Sequence, residues 1–259
     1  MAVRKVTSAQ RRRLQYLRLR GLKTAGAYER RLILLRRSEV RRVLSLCEDA
    51  GSADEVVTII QGQLSEEAYL PGWFEGLYVD CGTPRGRAAA ADLSRAKAAP
   101  DDDVWIGALR RYAKNRAAEN VTIVSGTLKR SLVRLVREVM EEEAALGIEK
   151  LTRYIYREYK DTLERWQCRR IAQTEAMIGM AEASEEAARS LDVGYLKQWC
   201  ISGLGNTRDS HLVMDGVTVD MDEPFQLEGG LLMYPHDTSM GADASEIINC
   251  ACDIYRIPK

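Results

Sequence analysis

The sequence predicts an α+β protein, in which a mainly helical N-terminal region is followed by a small mixed α/β C-terminal domain. Two observations predict this class. Apolar residues recur every three to four positions through most of the first 191 residues, which is the period of helices with one buried face. That period disappears at Val193 and Gly194, and short apolar runs alternate with turn residues beyond them, as in a small sheet.

The first half of the helical region contains two predicted helices and one irregular connection. Apolar residues spaced between arginines predict an amphipathic helix over about 27–48. Ser52 as N-cap, with Glu55 three residues later, predicts a short helix over about 52–61. The stretch 66–84 mixes glycine, proline and aromatic residues, which predicts a packed irregular connection.

The second half of the helical region contains four more predicted helices. Three consecutive aspartates after Pro100 suit a helix N-terminus and predict a helix over about 102–118. Apolar stripes predict the others over about 127–147, 148–166 and 169–191.

Four short segments of the C-terminal part are predicted strands. Asp215 and Gly216 form a tight-turn signal before one of them. The predicted strands are Tyr195–Ile201, Val217–Val219, Leu231–Tyr234 and Ile247–Tyr255. We therefore divide the chain into a basic helical arm (1–50), a helical domain (51–165) and a C-terminal domain (166–259).

Composition limits the class of protein. Of the 259 residues, 46% are hydrophobic and 29% charged, which is typical of folded domains rather than disordered segments. No apolar run approaches the ~20 residues that a membrane span requires, and the first residues lack the apolar core of a signal peptide. We therefore expect a protein made in the cytosol, without a membrane partner. The six cysteines are too sparse for a disulfide framework.

Charge is distributed unevenly along a chain whose formal net charge is zero. Residues 1–42 contain fourteen Lys or Arg against two Glu, whereas residues 199–259 contain three basic and ten acidic residues. The basic arm is predicted to contact double-stranded DNA or an acidic protein surface, with a solvated helical face as the alternative. The predicted contact residues are Arg11, Arg12, Arg13, Arg36, Arg37, Arg41 and Arg42.

Both histidines and three of the six cysteines lie in the last sixty or so residues. Thiolates and imidazoles are the ligands that zinc prefers, and Cys250 and Cys252 would share one face of a regular strand. We name His211, Cys250 and Cys252 as candidate metal ligands, with His236 or Cys200 as a fourth. Zinc is the candidate cofactor.

Two other interpretations of these residues stay open. In the first, the cysteines pack as small buried hydrophobes while His211 bonds a turn carbonyl or Asp215. In the second, a cysteine and a histidine form a nucleophilic pair. Nothing around Cys250 resembles a helix N-terminus or a Gly-rich oxyanion turn, so we predict no catalytic residue.

A series of motifs occurs in the C-terminal part in a defined order. They are Arg170-Ile171-Ala172-Gln173-Thr174-Glu175, Trp199, Thr207-Arg208-Asp209-Ser210-His211, Asp215-Gly216, Phe225, Tyr234-Pro235-His236-Asp237 and Ile248-Asn249-Cys250-Ala251-Cys252. Over about 165–256 this order resembles the Mu F-type phage head morphogenesis family of minor head (minor capsid) proteins.

The chain departs from the pattern of that family at several positions. Members often have Arg at the position of Gln173, Cys-x-x-Cys at Arg208 and His211, Gly at His236, and Arg at Ala251. The variant of the metal site with paired Cys-x-x-Cys is therefore incomplete here.

The resemblance implies a structural virion protein of a tailed phage. Its implied partners are the portal protein and other head proteins, with packaged DNA as a further candidate. Its implied location is the capsid interior or the portal region, and the host cytoplasm during assembly. The alternative function is a hydrolase- or transferase-type effector that uses the His/Cys or metal site.

A link between the helix motif and the loop that carries His211 would explain why the resembled family has both elements. The structural motif residues are Arg170, Thr174, Glu175, Arg208, Asp215 and Gly216. Glu175, on a helix, is predicted to hold Arg208 in a charge-assisted hydrogen bond. The alternative is a solvated Glu175, whose surface pairing contributes well under ~1 kcal/mol.

Overall fold

The computed structural model describes residues 6–94, 101–142, 146–203 and 207–259. It confirms the α+β class. The helices are α1 (Ser8–Leu46), α2 (Ala53–Gln63), α3 (Leu70–Leu93), α4 (Asp102–Glu142), α5 (Ile148–Glu158), α6 (Glu164–Arg189), α7 (Asp209–Leu212) and α8 (Ala244–Ile247), with a π-helical turn at Tyr159–Leu163. The strands are β1 (Tyr195–Cys200), β2 (Thr218–Asp220), β3 (Phe225–Leu227), β4 (Gly230–Leu232) and β5 (Asp253–Pro258). None of the described helices combines the length and apolarity needed to cross a membrane.

The chain folds into two compact units, one built from three separate segments of the chain and the other from two. The sheet unit comprises Met1–Gly26, Glu75–Ala113 and Ala172–Lys259, and the helical unit comprises Ala27–Phe74 and Lys114–Ile171, apart from the residues that the structure does not describe. This division differs from the three consecutive domains suggested by the sequence, because α1, α3, α4 and α6 each contribute residues to both units.

The sheet unit is built on a three-stranded antiparallel sheet with the order β2-β1-β5. The central strand β1 pairs Trp199 with Ile254 of β5. Strands β3 and β4 form a separate hairpin. The rings of Trp199 and Phe225 meet edge to face at 5.2 Å, so the hairpin shares a buried contact with the sheet.

The helical unit has its own apolar core. It contains Val40, Val43, Leu44, Val56, Ile60, Leu128, Leu132, Val136, Leu151 and Ile155, among other buried residues. Helix α2 begins as predicted: the Ser52 hydroxyl accepts a hydrogen bond from the Glu55 amide at 3.2 Å, and the Glu55 carboxylate accepts one from Gly51.

The predicted irregular connection over 66–84 is wrong, because α3 begins at Leu70 and continues to Leu93. Two glycines of α3 allow other residues to pack closely against the helix and do not interrupt it. A Cβ atom on Gly82 would lie 2.7 Å from the Cβ of Ala183, and one on Gly86 would lie 2.7 Å from the Trp105 ring. Glycine is therefore the residue that fits these contacts inside the sheet unit.

Two further predictions need correction. The helices predicted over 102–118 and 127–147 form one continuous helix, α4. The predicted strand Ile247–Tyr255 is instead the end of α8, a turn, and then β5 from Asp253. Left-handed backbone at Asn249 (φ 57°) breaks the extended conformation at this point.

Candidate metal centre

Three side chains far apart in the sequence converge inside the sheet unit. The His211 Nδ1 atom lies 3.5 Å from the Sγ of Cys250 and 3.4 Å from the Sγ of Cys252. The three candidate ligand atoms all lie within 4.8 Å of one another. All three residues are buried. This His/Cys cluster can hold a metal ion.

A turn, rather than a strand, directs both cysteines to the same point. Helix α8 ends at Ile247, and Asn249 takes the left-handed conformation that often ends helices. The Cys250 amide then donates to the carbonyl of Ile247 at 3.2 Å. The Cys252 amide donates to the Sγ of Cys250 at 3.4 Å, so the backbone of the turn bends around that sulfur.

Glu246 orients the imidazole of His211. Its carboxylate Oε2 lies 2.7 Å from His211 Nε2. The same carboxylate accepts hydrogen bonds from the Ser210 hydroxyl and the Gly229 amide. Because Nε2 is engaged by Glu246, Nδ1 faces the two sulfur atoms. A carboxylate behind the histidine is the arrangement that commonly fixes the tautomer of a metal-ligating imidazole.

The two cysteines of the cluster have pKa values shifted in opposite directions. A hydrogen bond from the Cys250 thiol lowers the pKa of Cys252 to about 5, against the opposing effect of burial and with further help from His211. The same hydrogen bond, together with burial, raises the pKa of Cys250 well above its ordinary value. Burial lowers the pKa of His211, but Cys252 and Glu246 outweigh it and raise the pKa overall.

The spacing of the ligand atoms fits zinc. Zinc–sulfur and zinc–nitrogen bonds of about 2.3 and 2.0–2.1 Å, at a tetrahedral angle, separate sulfur from nitrogen by about 3.5–3.6 Å. The two sulfur–nitrogen distances here are 3.5 and 3.4 Å. The ligand types and the two sulfur–nitrogen distances therefore match those of a tetrahedral metal site.

Neither candidate fourth ligand joins the described cluster, which corrects that part of the prediction. His236 is buried and donates through Nε2 to the carbonyl of Cys252 at 3.3 Å, and burial lowers its pKa to about 4. Its backbone is left-handed (φ 74°), a conformation that favours glycine. The thiol of Cys200 donates to the carbonyl of Gln198 instead.

Space beside the cluster is small. A cavity of about 20 Å3 is bordered by Cys252, His236 and Arg18, among others. Such a volume holds about one water molecule. Pockets for small-molecule ligands have volumes of about 300–1,000 Å3.

Most of the predicted contact arginines are engaged within their own unit. In the sheet unit, Arg11 makes two hydrogen bonds to Asp215, at 2.9 and 3.0 Å, and Arg13 pairs with Asp92. Arg12 is exposed.

In the helical unit, Arg36 is only 1% exposed and is paired with Glu66, so it is removed from the set of contact residues. The other predicted contact arginines of this part of α1 also have partners within the unit. Arg37 pairs with Glu164, Arg41 bonds the Tyr156 hydroxyl, and Arg42 pairs with Glu39.

The predicted link between Glu175 and Arg208 is also corrected. Glu175 is buried and accepts a hydrogen bond from the Tyr78 hydroxyl at 2.6 Å. Arg208 donates to the carbonyl of Ile248, in the turn before the two cysteines. Arg208 thus secures the cysteine turn rather than the helix.

The other motif residues lie as follows. Arg170 is exposed in the helical unit, and Thr174 is buried in α6. Asp215 accepts from the Ile201 amide as well as from Arg11, and Gly216 has left-handed backbone (φ 87°) in the turn that follows. Glu246 was missed by the sequence reasoning, because a lone glutamate before an apolar segment carries no signal of its role.

The chain is similar to parts of two longer curated proteins. It is 30% identical over 150 residues to the NAD(+)--arginine ADP-ribosyltransferase EFV of Enterococcus faecalis, which covers 56% of this chain and 26% of that protein. It is 30% identical over 93 residues to the uncharacterized protein YqbB of Bacillus subtilis, which covers 34% of this chain and 30% of that protein. The chain therefore spans less than a third of either relative. No family model matches the chain, and no solved structure matches it.

Proposed function

We propose that the chain is a structural minor head protein of a tailed phage, which associates with the portal protein during head assembly. The observation that carries this proposal is the closure of the His/Cys cluster. Its three ligands are buried and the adjoining cavity has room for about one water molecule. A cluster of this kind supports a role in stability rather than in turnover. The order of the C-terminal motifs supports the phage head assignment.

In this proposal the cluster holds a structural zinc ion. His211, Cys250 and Cys252 would be its ligands, and Glu246 would orient the histidine. Zinc would supply a cross-link between α7 and the turn that precedes β5. Binding energy from such a link adds directly to folding energy, on the order of 10 kcal/mol for structural zinc in small domains.

A transferase role is the second candidate function, and the similarity to an ADP-ribosyltransferase favours it. Three protein ligands are also the number found at catalytic zinc sites, where water takes the fourth position. Against this role, the matched part is 26% of the relative, and the cavity beside the cluster cannot admit a nicotinamide dinucleotide. We therefore favour the structural role.

The test is the location of the protein in phage particles. Purified heads are treated with a lysine-reactive cross-linker, and the linked peptides are identified by mass spectrometry. The proposal expects peptides of this chain linked to the portal protein. Absence of the chain from purified heads would contradict it.

The two candidate functions are separated by an activity assay. The purified chain is incubated with labelled NAD and an arginine-rich acceptor protein, beside the Cys250→Ser and Cys252→Ser variants. The structural role predicts no transfer of label. Transfer that disappears in both variants would favour the enzyme.

A further inference from the structure

One face of α4 in the helical unit carries a row of cations. A groove of about 500 Å3 is lined by Gln61, Gly126, Lys129, Arg130, Val133, Arg134 and Arg137. The α4 members are spaced by three or four residues, so they share one side of the helix. From residue 120 to residue 137 the sequence has four cationic residues and no acidic one.

These cations are available to a partner. Arg130, Arg134 and Arg137 are exposed, and Lys129 is half-buried. Arg134 lies 3.4 Å from Glu138, a pair in which both side chains are more than half exposed and which is therefore weak. Neither Lys129 nor Arg137 has an ion-pair partner among the described residues.

Gly126 gives the guanidinium of Arg130 room to lie close to the backbone of α4. Gly126 has no side chain, and a Cβ atom there would lie 3.3 Å from the guanidinium of Arg130. Arg130 also donates a hydrogen bond to the Thr127 hydroxyl at 3.1 Å. Val133, which also lines the groove, is buried.

We infer that this face of α4 is a docking surface for the phosphate backbone of double-stranded DNA. From Lys129 to Arg137 the helix rises about 12 Å, a length of duplex axis over which one strand carries three to four phosphates at about 3.4 Å of rise each. No aromatic residue is among those that line the groove, so bases have nothing to stack on. The surface therefore suits a duplex, bound without sequence preference, rather than a single strand.

This inference does not depend on the proposed role in head assembly, since it rests on the charge and shape of α4 alone. It also places the DNA contact on α4, whereas the sequence predicted it in the basic arm (1–50). In α1, Arg36, Arg37 and Arg42 are paired with glutamates and Arg41 bonds the Tyr156 hydroxyl. In the groove, Arg130 and Arg137 are exposed and have no ion-pair partner among the described residues.

The test measures binding of the full chain to a fluorescent 30-base-pair duplex by anisotropy, from about 50 to 300 mM salt. The test variant combines Arg130→Gln, Arg134→Gln and Arg137→Gln. The control variant combines Arg153→Gln, Lys160→Gln and Arg165→Gln, which remove three exposed cations of the same unit outside the groove. Both variants lose the same formal charge.

The groove variant is expected to bind about 10²-fold more weakly at 0.1 M salt, and its slope of log affinity against log salt should flatten by about 2.7, or 0.9 for each lost contact. The control should stay within about threefold of the parent. Arg137→Glu alone should weaken binding about tenfold, which tests the same surface with a single change.

Three results would overturn the inference. The parent could fail to bind the duplex, the control could weaken binding as much as the groove variant, or a polyglutamate peptide of equal charge could bind more tightly than the duplex. The last result would identify an acidic protein as the partner. None of these results bears on the cross-linking of purified heads, so failure here and failure of the proposed function are distinguishable.

Discussion

Replacement of Arg36 tests the assignment of charged residues to core or surface. Its side chain and that of Glu66 are 1% and 0% exposed, and they make two hydrogen bonds, at 2.7 and 3.0 Å. Glu66 also accepts a hydrogen bond from the Tyr69 hydroxyl. Arg36→Met would leave a buried carboxylate without its cation, which costs about 3–5 kcal/mol.

The expected loss is measured by thermal and urea unfolding of the full chain. At about 2–4 °C per kcal/mol for a protein of this size, Arg36→Met should lower the Tm by about 6–20 °C. The matched control is Arg31→Met, which changes an exposed arginine of the same helix and should shift the Tm by less than about 2 °C.

A double variant distinguishes the loss of both buried charges from the loss of one. Arg36→Met with Glu66→Met removes both buried charges, and similar pairs replaced by apolar residues of equal volume lose little stability or gain some. The double variant should therefore be more stable than Arg36→Met alone. If Arg36→Met keeps the parent Tm while losing DNA affinity, Arg36 acts at the surface and the argument from burial is refuted.

Four further outcomes are expected. Glu246→Gln should weaken zinc affinity about 10–100-fold in a competition titration with a chromogenic chelator, and unchanged affinity would contradict the orienting role. His236→Gly should be about 1 kcal/mol more stable than His236→Ala in urea, because left-handed backbone favours glycine; the reverse order would contradict this. Burial raises the pKa of Glu182 to about 7, so the folded state binds more protons than the unfolded state between about pH 4.5 and 7. Stability should thus fall by about 3 kcal/mol as pH rises through that window, and Glu182→Gln should flatten the curve of Tm against pH. Ser52→Ala should cost about 1 kcal/mol in urea unfolding, and no change would mean that the N-cap of α2 contributes nothing.

Local signals in the sequence were enough for part of the fold. The N-cap of α2 at Ser52 and the strand from Tyr195 depend on residues close to one another in the chain, and both are confirmed. The convergence of His211, Cys250 and Cys252 was also predicted, although the geometry is that of a turn and not of a strand.

The rest of the fold and of the candidate site depends on contacts between residues far apart in the chain, which no local sequence pattern predicts. Gly82 belongs to the stretch whose composition predicts an irregular connection, yet it lies inside α3, where Ala183 packs against it. The burial of Arg36 depends on Glu66, thirty residues away. The support that Glu246 gives His211 is of the same kind, since only the fold brings the two together.

The zinc content of the purified chain tests the account most directly. Inductively coupled plasma mass spectrometry should find about one zinc ion per chain in the parent and in Cys200→Ser, and none in Cys250→Ser or Cys252→Ser. Removal of the ion by a chelator should lower the Tm of the parent to that of these two variants. A parent free of metal but fully folded, or a Cys200→Ser variant that loses zinc as completely as Cys252→Ser, would contradict the assignment of the His/Cys cluster as a structural metal centre.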